Sequence, residues 1–162
     1  MNMITSACRK VAFGVVAAGF CFGFSGCEGD YVVPITSAPT RKIDQRLVGN
    51  WISKDGRDKM KVRRLDDSTY VVSYNGDLFR AYHSDLGKNS FVSVQDIDSN
   101  NRKYAYVTYK LSDDGQRLDL RLVNEKVIPT ATKDSVGVQR LLKQNLQNSK
   151  LLGEEGQFTK EK

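Results

Sequence analysis

The sequence predicts a mainly β domain, an antiparallel meander sheet or partial barrel with a C-terminal helix packed against it. Three observations predict it. From Val48 onward, short runs rich in β-branched and aromatic residues alternate with Asp, Asn and Gly turn signals at 8–15-residue spacing. Within the last of those runs, Arg117–Val123, apolar and polar side chains alternate, as a sheet with one wet face requires. Near the C-terminus the period switches to the 3–4-residue spacing of an amphipathic helix. The composition, 40% apolar and 27% charged, belongs to a globular protein rather than a disordered one.

Taken in order, Val48–Ser53 is the first run, stopped by Asp55-Gly56. Lys59–Leu65 ends at Asp66-Asp67. Thr69–Tyr74 and Leu78–Ser84 flank Asn75-Gly76, the strongest hairpin signal in the chain. Both central residues of a type I′ turn need positive φ, which Asn and Gly tolerate. Ser90–Ile97 leads into Asp98-Ser99-Asn100-Asn101, and Lys103–Leu111 passes through Asp113-Asp114-Gly115 to Arg117–Val123. In that last run Leu118, Leu120 and Leu122 alternate with Arg117, Asp119 and Arg121. Seven strands are expected. Ser135 is a candidate cap for a helix from Val136, with Val138, Leu141, Leu142 and Leu146 on one face and Gly137 weakening its first turn. Leu151, Leu152 and Phe158 offer further apolar contacts.

The N-terminus is organised differently. Arg9-Lys10 precedes Val11–Phe24, a run of 14 residues with no polar side chain. As a helix it would span roughly 21 Å at about 1.5 Å per residue, short of a ~30 Å hydrocarbon core. It therefore reads as a signal sequence. Phe24-Ser25-Gly26-Cys27 follows at once and resembles the lipobox of bacterial lipoproteins, with Phe24 in place of the usual leucine. The resemblance covers residues 9–27. It implies cleavage before Cys27, diacylglycerol on the Cys27 sulfur and acylation, palmitate included, of the new N-terminus. Two or three acyl chains, at about 0.8 kcal/mol per buried CH₂, make a durable membrane anchor.

The expected organisation is thus a signal peptide over residues 1–26, a lipidated N-terminus and tether over 27–45, and a β domain with its helix over 46–162. Gly29, Pro34 and Pro39 favour the tether reading, although Tyr31-Val32-Val33 could add an edge strand. Cleavage leaves Cys27 as the sole cysteine, so no internal disulfide and no cysteine metal site is expected. It also leaves 23 Lys and Arg against 19 Asp and Glu, a net +4 spread along the chain. That reads as a solvated basic surface suited to anionic headgroups, not as a nucleic-acid footprint. In lipoproteins of double-membraned bacteria the residue after the lipidated cysteine influences sorting, and aspartate there favours inner-membrane retention. Here Glu28 stands at that position. Its longer side chain implies an imperfect retention contact, hence the outer membrane with the domain in the periplasm. In a single-membraned host the same anchor implies the outer face of the plasma membrane.

Residues that could carry chemistry are few. Gly49-Asn50-Trp51 resembles the Gly-x-Trp of lipocalin-type barrels, which implies that Trp51 packs across a closed barrel end beneath a cation such as Arg121. His83 is the only histidine, and His83-Ser84-Asp85 fails as a triad because neighbouring strand residues point to opposite faces. A non-local partner such as Asp119 stays open. Asp96-Ile97-Asp98-Ser99-Asn100 begins like a calcium loop but has Asn101 where glycine belongs and Val107 where glutamate belongs. No phosphate loop, Gly-x-Ser-x-Gly or dinucleotide fingerprint occurs, and neither a metal nor another cofactor is expected. Tyr70 and Tyr74 share one strand face and Tyr104 and Tyr106 another, suiting either a binding surface or the margin of a small core.

The leading expectation is a non-enzymatic, lipid-anchored domain offering a cleft or sheet face to a small apolar ligand or an envelope protein. A cell-envelope hydrolase using paired carboxylates, such as Asp66 or Asp67 with Asp119, is the alternative. A structural or assembly role is a third reading.

Overall fold

The computed structural model describes residues 31–162. The signal sequence, the lipobox, Cys27 and Glu28 lie outside the described residues. Eight antiparallel strands close into a barrel in sequence order: β1 (Gly49–Ser53), β2 (Lys59–Arg64), β3 (Thr69–Tyr74), β4 (Asp77–His83), β5 (Val92–Asp96), β6 (Tyr104–Leu111), β7 (Arg117–Val123) and β8 (Leu152–Lys160). One helix, α1 (Ser135–Asn145), lies between β7 and β8. The mainly β meander with a helix near the C-terminus is therefore present, and the sheet closes fully.

The expected strands match β1–β7 to within two residues at either end. Asn75 and Gly76 have φ of 51° and 109°, the positive values their turn demands. Asn75 also ties two turns together: its Oδ1 accepts from Lys59 N at 2.9 Å, and its Nδ2 donates to Asp58 at 2.9 Å. The strand the sequence did not announce is β8. It pairs with both β7 and β1 and so seals the sheet. Closure leaves no open edge along the barrel. A bulge between Arg121 and Val123 shifts the β7–β8 register, and the Arg121 guanidinium spans it by donating to the carbonyls of Gly153 and Leu152.

Alternation divides the side chains between two cores. Inside the barrel lie Trp51, Met60, Val62, Tyr70, Ala81, Val92, Leu118 and Phe158. Outside, α1 covers the barrel wall and buries Val138 and Leu142 against Tyr31, Ile35, Phe91, Tyr106 and Ile128. Each fully buried residue of this size contributes roughly 1.5–3 kcal/mol. The helix cap is Asp134, whose Oδ1 accepts from Gly137 N at 2.7 Å. Ser135, the expected cap, instead donates to the carbonyl of Pro34. Gly137 suits a close approach, since a Cβ there would sit 3.1 Å from Thr132 Cγ2. Among the described residues no helix is long and apolar enough to cross a membrane.

Residues 31–45, expected as part of a free tether, are packed. Tyr31 and Ile35 are fully buried. Tyr31 exchanges two backbone hydrogen bonds with Tyr104, on the stretch of β6 that runs beyond the end of β7. The chain then descends the outer wall: Ile35 N donates to Ser93 Oγ, Thr40 N to His83 O and Ile43 N to Asp67 O. Gln45–Leu47 makes one 3-10 turn and delivers the chain into β1. Any spacer precedes Tyr31.

Candidate functional site

The strand connections define two barrel ends. One carries the β1–β2, β3–β4 and β5–β6 turns and the α1 connection. The other carries the β2–β3, β4–β5 and β6–β7 turns and the 3-10 turn. Burial of the inward residues rises from the first end to the second. On β3, Tyr70 is buried while Val72 and Tyr74 are half-buried. On β5, Val92 is buried while Val94 and Asp96 are half-buried. On β7, Leu118 is buried while Leu120 and Leu122 are half-buried. Met60 and Phe79 depart from this trend and stay buried at the first end, and on β6 the inward Ala105, Val107, Tyr109 and Leu111 are half-buried throughout. The barrel interior is thus open toward the β5–β6 turn and closed toward the 3-10 turn.

At the closed end Trp51 is fully buried and its Nε1 donates to the Leu47 carbonyl at 2.9 Å. The cation over the Trp51 ring is Lys160, with Nζ 5.2 Å from the centroid and bonded to the Arg46 carbonyl at 2.7 Å. Arg121, expected there, is instead committed to the β7–β8 bulge. Lys160 reaches Trp51 because the two residues are register partners across β1 and β8. Only the unpredicted strand could supply it.

Between the ends lies an apolar cavity of about 140 Å³. Val62, Val72, Val94, Leu118, Leu120 and Phe158 form much of its wall, with Leu47 at its base and Asp96 and Lys103 at its rim. An apolar cavity of about 150 Å³ stays dry and accepts a benzene-sized group. Tyr70 and Tyr74 line it, as does Tyr109. Tyr104 and Tyr106 do not. Tyr106 faces outward, stacks on Tyr31 at 3.8 Å between centroids and donates to the Val33 carbonyl. Tyr104 packs against the same outer core. The tyrosines therefore serve two surfaces: Tyr70 and Tyr74 meet the interior, whereas Tyr104 and Tyr106 belong to the outer core.

A polar chain runs along the closed end. Asp44 N donates to Tyr70 Oη at 2.6 Å, and Tyr70 Oη lies 2.9 Å from His83 Nε2. Burial pushes the Tyr70 phenol up to about 12, so it keeps its proton and donates it to Nε2. His83 is then neutral, with its proton on Nδ1, a buried atom that has no hydrogen-bond partner among the described residues. Burial, reinforced by the Arg41 charge, pulls the imidazole down to about 4. Arg41 donates to Tyr109 Oη at 3.0 Å and pairs with Asp85 at 2.7 Å.

These contacts separate the residues a triad would need. His83 meets Tyr70 inside the barrel, whereas Ser84 Oγ bonds Ser93 and Thr36 outside it. Asp85 is held by Arg41 and Ser90. The carboxylates are dispersed as well. Asp66 accepts from Ser68, and Asp67 pairs with Arg64, both at the β2–β3 turn. Asp119 sits mid-strand on the outer face of β7, between Lys110 and Gln157 in register. Asp96 accepts from the backbone of Asp98 and Ser99, closing its turn. Among the described residues no group of three or more His, Cys, Asp and Glu side chains is placed to hold a metal ion. Compared with known proteins, the chain matches no family model, no curated protein and no solved structure.

Proposed function

We propose that this chain is a lipid-anchored lipoprotein of the cell envelope whose barrel binds a small apolar ligand without chemical turnover. The observation that carries the binding reading is the one-ended apolar interior, floored by Leu47 and lined by Leu, Val, Tyr and Phe. Such pockets are the usual form of a small-molecule site, with few polar groups fixing orientation. Here Tyr70, Tyr74 and Tyr109 supply the polar tips. The anchor reading rests on Val11–Phe24 followed by Phe24-Ser25-Gly26-Cys27. Lipid on Cys27 would hold the domain at a membrane without a membrane-spanning helix among the described residues. Glu28 favours the outer membrane with the domain in the periplasm, and the plasma membrane in a single-membraned host.

Two measurements test these readings separately. Palmitate labelling of the expressed full chain is expected, with complete loss in Cys27→Ala; label persisting in that variant would overturn the anchor. Native mass spectrometry of the purified full-length protein is expected to show a co-purifying apolar molecule released on unfolding. A protein that never carries or takes up such a molecule would overturn the binding reading.

A further inference from the structure

We propose that the open end of the barrel faces the membrane, and that the cavity takes the terminal segment of an acyl chain of a membrane lipid at the bilayer surface. This rests on the lipid-anchor reading and adds to it an orientation and an occupant.

The orientation follows from where the chain leaves the barrel. Tyr31 is pinned by its two backbone bonds to Tyr104, and its hydroxyl donates to the Ile128 carbonyl at 3.1 Å. Tyr104 is the first residue of β6, beside the β5–β6 turn, so Tyr31 marks the open end. Cys27 is four residues earlier. Four residues reach at most about 14 Å when fully extended. The closed end lies seven residues away along β6, about 24 Å at ~3.4 Å per residue. At a strand tilt of about 40° that is roughly 18 Å along the barrel axis. Of the two ends, the open one is therefore brought to the bilayer by an anchor at Cys27 with the shorter reach.

The occupant follows from the same geometry. The cavity wall is apolar up to a rim that carries Asp96 and Lys103, and its mouth would stand at the headgroup layer. Val32 is 54% exposed beside Tyr31, and Leu78 is 41% exposed beside the β5–β6 turn, where its carbonyl accepts from Ile97 N. Both give apolar contact at this end. The charges there have no single sign: Lys54, Arg57 and Arg102 stand near Asp55, Asp58 and Asp98. Contact with lipid would thus come from apolar insertion and the anchor, not from a basic field. The end of a single acyl chain fits a narrow, one-ended apolar slot because each CH₂ withdrawn into it keeps an apolar environment, with Lys103 and Asp96 at the rim.

The test uses the mature lipidated protein in phosphatidylethanolamine–phosphatidylglycerol vesicles, carrying a thiol-reactive fluorophore at Asn100→Cys, on the β5–β6 turn, or at Asp113→Cys, on the β6–β7 turn. In the lipidated protein the Cys27 sulfur is tied up in a thioether to diacylglycerol and does not react. With spin-labelled lipid in the vesicles, quenching at position 100 is expected to exceed that at position 113 at least threefold. Equal quenching, meaning a side-on barrel, or the reverse order overturns the orientation. In the same vesicles a phosphatidylethanolamine with a photoreactive acyl chain is expected to crosslink to interior residues such as Val94 and Leu122. Crosslinks confined to outer turns overturn the occupant. Failure of the anchor reading looks different, as a Cys27 of unmodified mass and a protein that does not float with vesicles.

Discussion

His83 is buried as a neutral base, and that has a cost in acid. Its folded-state value, about 4, lies below the 6.5 of an exposed imidazole. As pH falls, the unfolded chain takes up the proton first, so the folded state loses stability from about pH 6.5 down to about 4 and no further from this group. His83→Gln keeps an acceptor for Tyr70 and removes the titration. Thermal melts from pH 7 to 4.5 are expected to show the wild-type melting temperature falling more steeply than that of the variant; parallel curves would mean His83 is not the group concerned. At the closed end, Trp51→Ala should cost about 3–5 kcal/mol, because it empties a fully buried site. Lys160→Ala should cost about 1 kcal/mol or less, the range of a partly exposed cation–π contact. Urea unfolding of the two variants measures both. Trp51 as a core residue was legible because a lone Trp at a strand start has few other places to go. Its cation was not legible, since register alone decides which side chain lies across from it.

At the scale of elements, local signals and long-range ones fared differently. The Asn75-Gly76 hairpin and the Leu118–Leu120–Leu122 alternation carry their own turn chemistry and period, so β3, β4 and β7 could be read directly. So could α1, whose Val138 and Leu142 repeat at helical spacing. β8 could not. Leu152–Lys160 contains two glycines and an adjacent Glu pair and lacks alternation; it is a strand because β1 and β7 each present an unpaired edge. The residues from Tyr31 to Ile43 were hidden for a related reason. Two prolines exclude regular structure, but not packing of Tyr31 and Ile35 against a helix more than 90 residues away. Two outcomes follow. Leu142→Ala should lose about 2–5 kcal/mol through the cavity it leaves under α1, measured by urea denaturation. Truncation after Leu151 should abolish the cooperative unfolding transition, because it exposes two strand edges and removes Phe158. A truncated chain that melts like the full one would show β8 to be dispensable.

For the whole molecule, barrel closure converts an alternating sheet into a container. An eight-stranded barrel is just wide enough for side chains to fill or to admit one small ligand. This chain lies between those limits: large residues fill the closed end, while Ala105, Val94 and Leu120 leave space toward the open one. The inward face was readable from alternation, but which strands would face each other was not, so Val94, Leu120 and Phe158 gained a site role only through closure. The polar outer wall, α1 and the Tyr31–Ile43 segment then set the container's direction relative to the N-terminus. The central claim is that the interior binds an apolar chain, and saturable binding of a fluorescent fatty acid to the full-length protein tests it most directly. Ala105→Phe places an apolar ring in the cavity without adding a charge. One-to-one binding by the wild type is expected, weakened at least tenfold in Ala105→Phe at a melting temperature close to wild type. No saturable binding by the wild type, or equal affinity in the two proteins, would contradict the account.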